Sequence, residues 1–175
     1  LSHSISSFTT KPLTTMHQKL LLLICSAIIC QHAFCWGFYA HKEINHHAVF
    51  LLPPAMMVFY KPHIDFVTEH AVDPDKRRYM VTAEGPRHYI DLNRYGAYPF
   101  NDLPRAWYSA VEKYGEDSLM AHGIVPWWVN IMLQRLTKAF SEKNYSAILK
   151  LSAEIGHYIA DAHVPLHAHS NYNGQ

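Results

Sequence analysis

Residues 145–162 constrain the fold more than any other stretch of this chain. Tyr145, Ile148, Leu149, Ser152, Ile155, Ile159 and Ala162 recur at three- and four-residue steps, the spacing of one face of an α-helix. Pro165 follows and cannot continue such a helix. A helix of about five turns with one apolar stripe must bury that stripe against other elements, and helical patterns supply them. In residues 40–52, Ile44, Ala48, Leu51 and Leu52 form a stripe that Pro53-Pro54 stops. Residues 56–60 predict a short helix, and residues 103–114 another. Residues 127–140 place Trp128, Ile131, Met132, Leu136, Ala139 and Phe140 on one face, with Pro126 suited to the first turn. Residues 87–99, RHYIDLNRYGAYP, predict irregular or briefly extended chain. There is no repeat, no low-complexity tract and no convincing run of strands. The predicted class is all-α, with long functional loops.

The helix at 145–162 ends in GHYIADAHVPLH, residues 156–167, which sets three histidines and an aspartate among apolar residues. His157 and Asp161 stand four apart and share a helix face. An imidazole and a carboxylate so placed can reach one cation, and His167 can approach the same region after the turn at Pro165. The alternative is a solvated pair worth a few tenths of a kcal/mol, and the spacing alone leaves both open. His163, two positions past Asp161, faces away from the pair and reads as structural or exposed, as does His169.

The whole chain has 175 residues, a formal net charge of +1 and 49% hydrophobic content, which fits one ordinary globular domain. So small a charge gives no strong electrostatic grip on nucleic acid or an anionic membrane, and no stable nucleic-acid complex is expected. Fourteen histidines against 17% charged residues lower the threshold for a metal site.

Met16 is followed by His17, Lys19 and an apolar run over residues 20–30, with Ala33 and Cys35 as small residues before Trp36. This is the pattern of a secretory signal over residues 16–35, cleaved before Trp36. The run falls short of the roughly 20 apolar residues of a membrane span. Residues 1–15, polar and Ser/Thr-rich, read as an upstream extension outside the native protein. Residues 36–175 are then the folded domain, secreted or periplasmic. Lipid anchoring at Cys35 ranks behind plain cleavage because Phe34 is a poor match before such a cysteine. Cys25, Cys30 and Cys35 all lie in the signal. The domain therefore offers neither disulfides nor thiolate ligands, and a metal site in it must use His, Asp, Glu and backbone.

Three more groups stand upstream. WGFYAH places His41 five residues after Trp36, whose amine and carbonyl would be free to chelate once cleavage occurs. EHAVDPDKRR contains Asp73, which before Pro74 predicts a loop or turn, and RHYID contains His88 and Asp91. Each is weak alone.

Together, in this order and spacing, the four groups resemble the zinc-dependent phospholipase C superfamily, which also contains the single-strand-specific zinc nucleases of fungi and plants. The carriers are WGFYAH, HAVDPDKR, RHYID and HYIADAHVPLH, which span the predicted domain. The resemblance implies a secreted, multi-helix phospholipase C/nuclease-like enzyme, here a bacterial member, with three zinc ions. Asp73, His88, His157 and Asp161 would hold one zinc. Trp36, His41 and Asp161 would hold a second, with Asp161 bridging. His167 would bind the third, whose other ligands in the family lie on a later helix. No such helix precedes Gln175, so a C-terminally incomplete member is expected. The spacing from Trp36 to His41 is closer to the nuclease branch, and His46 and His47 are read as helix-surface residues.

The implied activity is zinc-dependent hydrolysis of phosphoric diesters, phospholipase C-like. The paired metals would lower the pKa of a bridging water and offset charge growing on the phosphoryl oxygens. Asp73 and Asp161 are the catalytic candidates, Asp73 as a base or orienting group. Lys76 or Arg77 would contact phosphate, and Asp91 would orient a ligand histidine. The substrate is a phospholipid or single-stranded nucleic acid. Phe38, Tyr39, Trp107, Trp127 and Trp128 are candidates to line its approach, although core packing accounts for most of them. The alternatives are a single-strand-specific nuclease and a secreted metal-binding domain without turnover.

Overall fold

A computed structural model describes residues 36–171; the expected signal and upstream extension over residues 1–35 lie outside them. The described residues are mostly helical and contain no strand. In chain order the helices are α1 (Trp36–Phe50), α2 (Pro54–Tyr60), α3 (Ile64–Glu69), α4 (Asp73–Arg77), α5 (Trp107–Tyr114), α6 (Glu116–His122), α7 (Val125–Ser141) and α8 (Tyr145–Ala162). Short 3-10 turns link several of them, notably Thr82–His88 and Pro165–Ala168. No helix among the described residues is long and apolar enough to cross a membrane.

α7 and α8 form the central hairpin. Pro126 sits in the first turn of α7, where its missing N–H costs nothing. Lys143 takes a positive φ of 54°, and the Asn144 side chain then accepts from Ala147 N at 3.1 Å, capping α8. One core, built around Trp127, Trp128, Met132, Tyr158, Leu119 and Val125, lies at one end of the hairpin. A second, around Ala139, Ile148, Ala153, Val49, Tyr60 and Val67, lies at the other. Each large apolar side chain fully buried there stabilises by about 1.5–3 kcal/mol.

The structure moves several boundaries and faces. α5 starts at Trp107, not near residue 103, because Pro104 holds the preceding chain out of helix, and the Pro104 carbonyl accepts from Trp127 Nε1 at 3.2 Å. Residues 73–77, expected as loop, form helix α4. α8 has the expected extent and part of the expected inner face, since Ile148 is buried and Leu149 and Ile155 pack against the cores. Tyr145 and Ile159 are exposed, while Ala153, Glu154, His157, Tyr158 and Asp161 turn inward. α1 likewise exposes Ile44, as the chain after it exposes Leu51, and buries His41, Asn45 and Val49, at four-residue steps.

Polar pairing explains both departures. Asn45 Nδ2 donates to Val67 O at 3.1 Å and Ala153 O at 2.9 Å, joining α1 to α3 and α8. Gly156 makes room for it, since a Cβ there would stand 2.1 Å from Asn45 Oδ1. Glu154 accepts from Arg77 Nη1 at 3.0 Å. Arg77 Nε also donates to Glu84 Oε2 at 2.9 Å, Arg87 Nη1 to the same oxygen at 2.7 Å, and the Tyr158 hydroxyl to Glu84. Buried polar groups that are fully paired keep their place in a core.

Candidate metal centre

The last turn of α8 carries His157 and Asp161 on one face, and both are almost fully buried, at 0% and 2% exposed. That removes the solvated-pair reading. His157 Nδ1 lies 2.8 Å from Ala71 O. A carbonyl only accepts, so Nδ1 carries the proton and Nε2 presents a lone pair inward.

Asp161 is the pivot. Its Oδ2 lies 2.8 Å from His88 Nδ1 and 3.2 Å from His157 Nε2. Its Oδ1 lies 3.3 Å from His41 Nε2 and 3.4 Å from His167 Nδ1. Each carboxylate oxygen thus faces two imidazoles. His41 stacks on His157 with ring centroids 3.8 Å apart, and His88 Nδ1 approaches His157 Nε2 to 3.0 Å. Asp75 Oδ1 stands 3.8 Å from both His88 Nδ1 and His157 Nε2.

Two sets of potential ligand atoms each fall within 4.8 Å of one another: His41, Asp75 and His157, and His88, His157 and Asp161. Nitrogen and oxygen donors of this kind suit zinc. His167 Nδ1, on the Asp161 Oδ1 side, is buried without a hydrogen-bond partner, which is costly in a purely structural cluster. Burial would raise the Asp161 carboxyl, but the imidazoles of His157, His167, His41 and His88 outweigh it and hold it well below the usual carboxylate range. Burial would lower the His88 imidazole, yet Asp161 and Glu84 raise it. Both shifts express one property: the cluster draws positive charge. The residues present fit a divalent cation.

The seven expected ligands separate. The structure brings together His41, His88, His157, Asp161 and His167. Asp73 is elsewhere, paired with His70 Nδ1 at 2.5 Å and Lys76 Nζ at 3.0 Å. Two residues in an α-helix are about 200° apart, so once 73–77 is helical only one of Asp73 and Asp75 can face the cluster, and it is Asp75. The spacing of the two aspartates would have given this had the segment been read as helix. Trp36 opens α1; its side chain, and the cleavage that would free its amine, lie outside the described residues.

Other expected roles also change. Arg77 is committed to Glu84 and Glu154 and Lys76 to Asp73, so neither is aimed at a phosphate. Asp91 meets His122 Nδ1 at 3.3 Å and not a ligand histidine. Trp127 and Trp128 are core residues. His163 is exposed and bonds Ile159 O, and His169 is exposed and accepts from Asn171 N. His46 and His47 lie on α1 beside Thr68 and Glu43.

A cleft of about 390 Å³ opens beside the cluster, lined by Arg78, His88, Tyr89, Asp91, Leu166 and His167 among others. Arg78 Nη1 is 3.6 Å from Asp75 Oδ1, which makes it the guanidinium shared by cleft and cluster. Sequence reading passed over Arg78 and Asp75 alike. Comparison with known proteins finds no matching family model, no matching curated protein and no matching solved structure.

Proposed function

We propose that this chain is a zinc-dependent phosphoric diester hydrolase of phospholipase C type, with a paired-metal site arranged about Asp161. The observation that carries this reading is the two-sided Asp161 carboxylate, with His88 and His157 on Oδ2 and His41 and His167 on Oδ1. A carboxylate flanked in this way suits a bridge between two cations. Bound there, a pair of zinc ions would polarise a phosphoryl oxygen and bring water toward ionisation near neutral pH. The Ala71 carbonyl holds His157 in the tautomer that ligation needs. Asp75 takes the role expected of Asp73, accepting a proton or orienting the attacking water from beside His88 and His157. Arg78 on the cleft wall suits a phosphate oxygen. Leu166 gives that wall an apolar section, in keeping with a lipid substrate.

A single-strand-specific nuclease is the second reading, favoured by Tyr89 on the same wall, where a ring can stack on an unpaired base. The test loads the purified protein with zinc and measures metal per chain beside hydrolysis of phosphatidylcholine dispersions and single-stranded DNA. Bound zinc with turnover of one substrate, both lost in Asp161→Ala, is the expected result. Zinc without turnover of any diester points to a metal-binding domain instead, and full zinc content in Asp161→Ala sinks the site. The metal content also separates a pair of ions from the three that the family resemblance implies.

A further inference from the structure

The two imidazoles on the Oδ2 side of Asp161 are held from behind in different ways. His157 has its outer nitrogen on a backbone carbonyl, Ala71 O at 2.8 Å. His88 turns Nδ1 inward, 2.8 Å from Asp161 Oδ2 and 3.0 Å from His157 Nε2. Its outer nitrogen, Nε2, is buried, without a hydrogen-bond partner, and 3.7 Å from Glu84 Oε1. A neutral imidazole has one proton to place. Without a cation, Asp161 Oδ2 accepts that proton from Nδ1; a cation at Nδ1 needs the lone pair there and therefore the proton on Nε2.

Glu84 is built to decide the matter. It is fully buried, and Arg77 Nε and Arg87 Nη1 both donate to its Oε2, at 2.9 and 2.7 Å. The Tyr158 hydroxyl donates to its other oxygen, the one facing His88. Two guanidinium groups fix both the charge and the direction of that carboxylate. Histidine ligands of metals characteristically direct the remote N–H at an oxygen acceptor of this kind.

We propose that Glu84 is a positioning residue that holds the His88 proton on Nε2, leaving Nδ1 free to ligate a divalent cation. The inference rests on the metal-site reading above and extends it to a residue outside the ligand set. The Arg77, Arg87 and Tyr158 network then acts as the mount of one ligand as well as a piece of the core.

Glu154 supplies the control. It shares Arg77 with Glu84, through Nη1 at 3.0 Å and Nη2 at 3.2 Å, but has no contact with His88. Zinc affinity of the full chain is measured by competition with a chromophoric chelator. Glu84→Gln is expected to lower affinity about 10- to 100-fold, the range for loss of such a partner. Glu154→Gln is expected to stay within about threefold of wild type, since it leaves the mount of His88 intact. Equal losses in both variants, or no loss in Glu84→Gln while the wild type binds zinc, overturn the proposal and leave the metal site standing. Absence of zinc binding by the wild type overturns both. Nitrogen-15 spectra of the imidazoles in zinc-loaded wild type give a test independent of variant folding. A His88 proton on Nε2 and a metal-shifted Nδ1 support the assignment, and ligation through Nε2 defeats it.

Discussion

Two buried polar clusters adjoin on α8, and they are built on opposite terms. Glu154 and Tyr158 belong to one, His157 and Asp161 to the other. In the first, each carboxylate has its counter-charge supplied by the chain: Arg77 forks between Glu84 and Glu154, and Arg87 adds a second guanidinium to Glu84. Arg87 also stacks on Trp128, 3.8 Å from the ring centroid. In the second, Asp161 meets only imidazoles, and the guanidinium that reaches the cluster, Arg78, touches Asp75 alone, at 3.6 Å. A cluster that carries its own cations is complete as a structural unit. A cluster of carboxylates and imidazoles, with no such cation of its own on Asp161 among the described residues, suits one from outside.

The contrast is broken most severely by removing the internal cation. Arg77→Met leaves Glu84 and Glu154 with too little positive charge, and a buried pair so broken costs about 3–5 kcal/mol. Denaturant unfolding should show that loss both with zinc and with chelator. A loss that zinc abolishes would mean that the two clusters are one electrostatic unit.

Next comes the external cation. A ligand that binds only the folded state at a hundred times its Kd stabilises by about 2.7 kcal/mol. Zinc should raise the unfolding free energy of wild type by that order and leave Asp161→Ala unchanged. Thermal unfolding with and without zinc reads this directly, and an equal zinc response in the variant removes Asp161 from the site.

Asn45 joins α1, which carries His41, to α8, which carries residues of both clusters. Gly156→Ala would drive a methyl to 2.1 Å from Asn45 Oδ1, and overpacking of this kind costs typically about 1–3 kcal/mol. Because His41 lies one helical turn from Asn45 on the buried face of α1, zinc affinity should fall along with stability. Loss of stability with unchanged affinity would show that the joint does not set the position of His41.

The same contrast explains how far the sequence could be read. The extent of α8 was legible because its periodicity and its proline stop are both local. Its inner face was legible only in part, at Ile148, because the partners that make Glu154 and His157 cheap to bury, Arg77 and Ala71, lie far away in sequence. Apolar periodicity therefore selected Ile159 and Tyr145, which are exposed, over groups that are buried only because they are paired. The gathering of His157, Asp161 and His167 was legible for a related reason: polar groups in an apolar helix end have few uses besides being paired. The all-helical class needed only periodicity, whereas the face of each helix needed its tertiary partners.

The smallest predicted effect separates two aspartates. Asp73 and Asp75 stand on opposite sides of α4. Asp73 is partly exposed with His70 and Lys76 as partners. Burial would raise its carboxyl, but His70 and Lys76 keep it below the ordinary value. Solvent screens that pairing, so Asp73→Asn should cost roughly 0–1 kcal/mol and leave zinc binding and turnover as in wild type. Asp75→Asn removes a carboxylate from beside His88 and His157, and it should weaken both zinc binding and hydrolysis. The two substitutions make the same chemical change two residues apart, so their difference isolates orientation. If Asp73→Asn were the one that lost zinc, α4 would have to be unwound in the active protein, and the loop expected from the sequence would be its functional form.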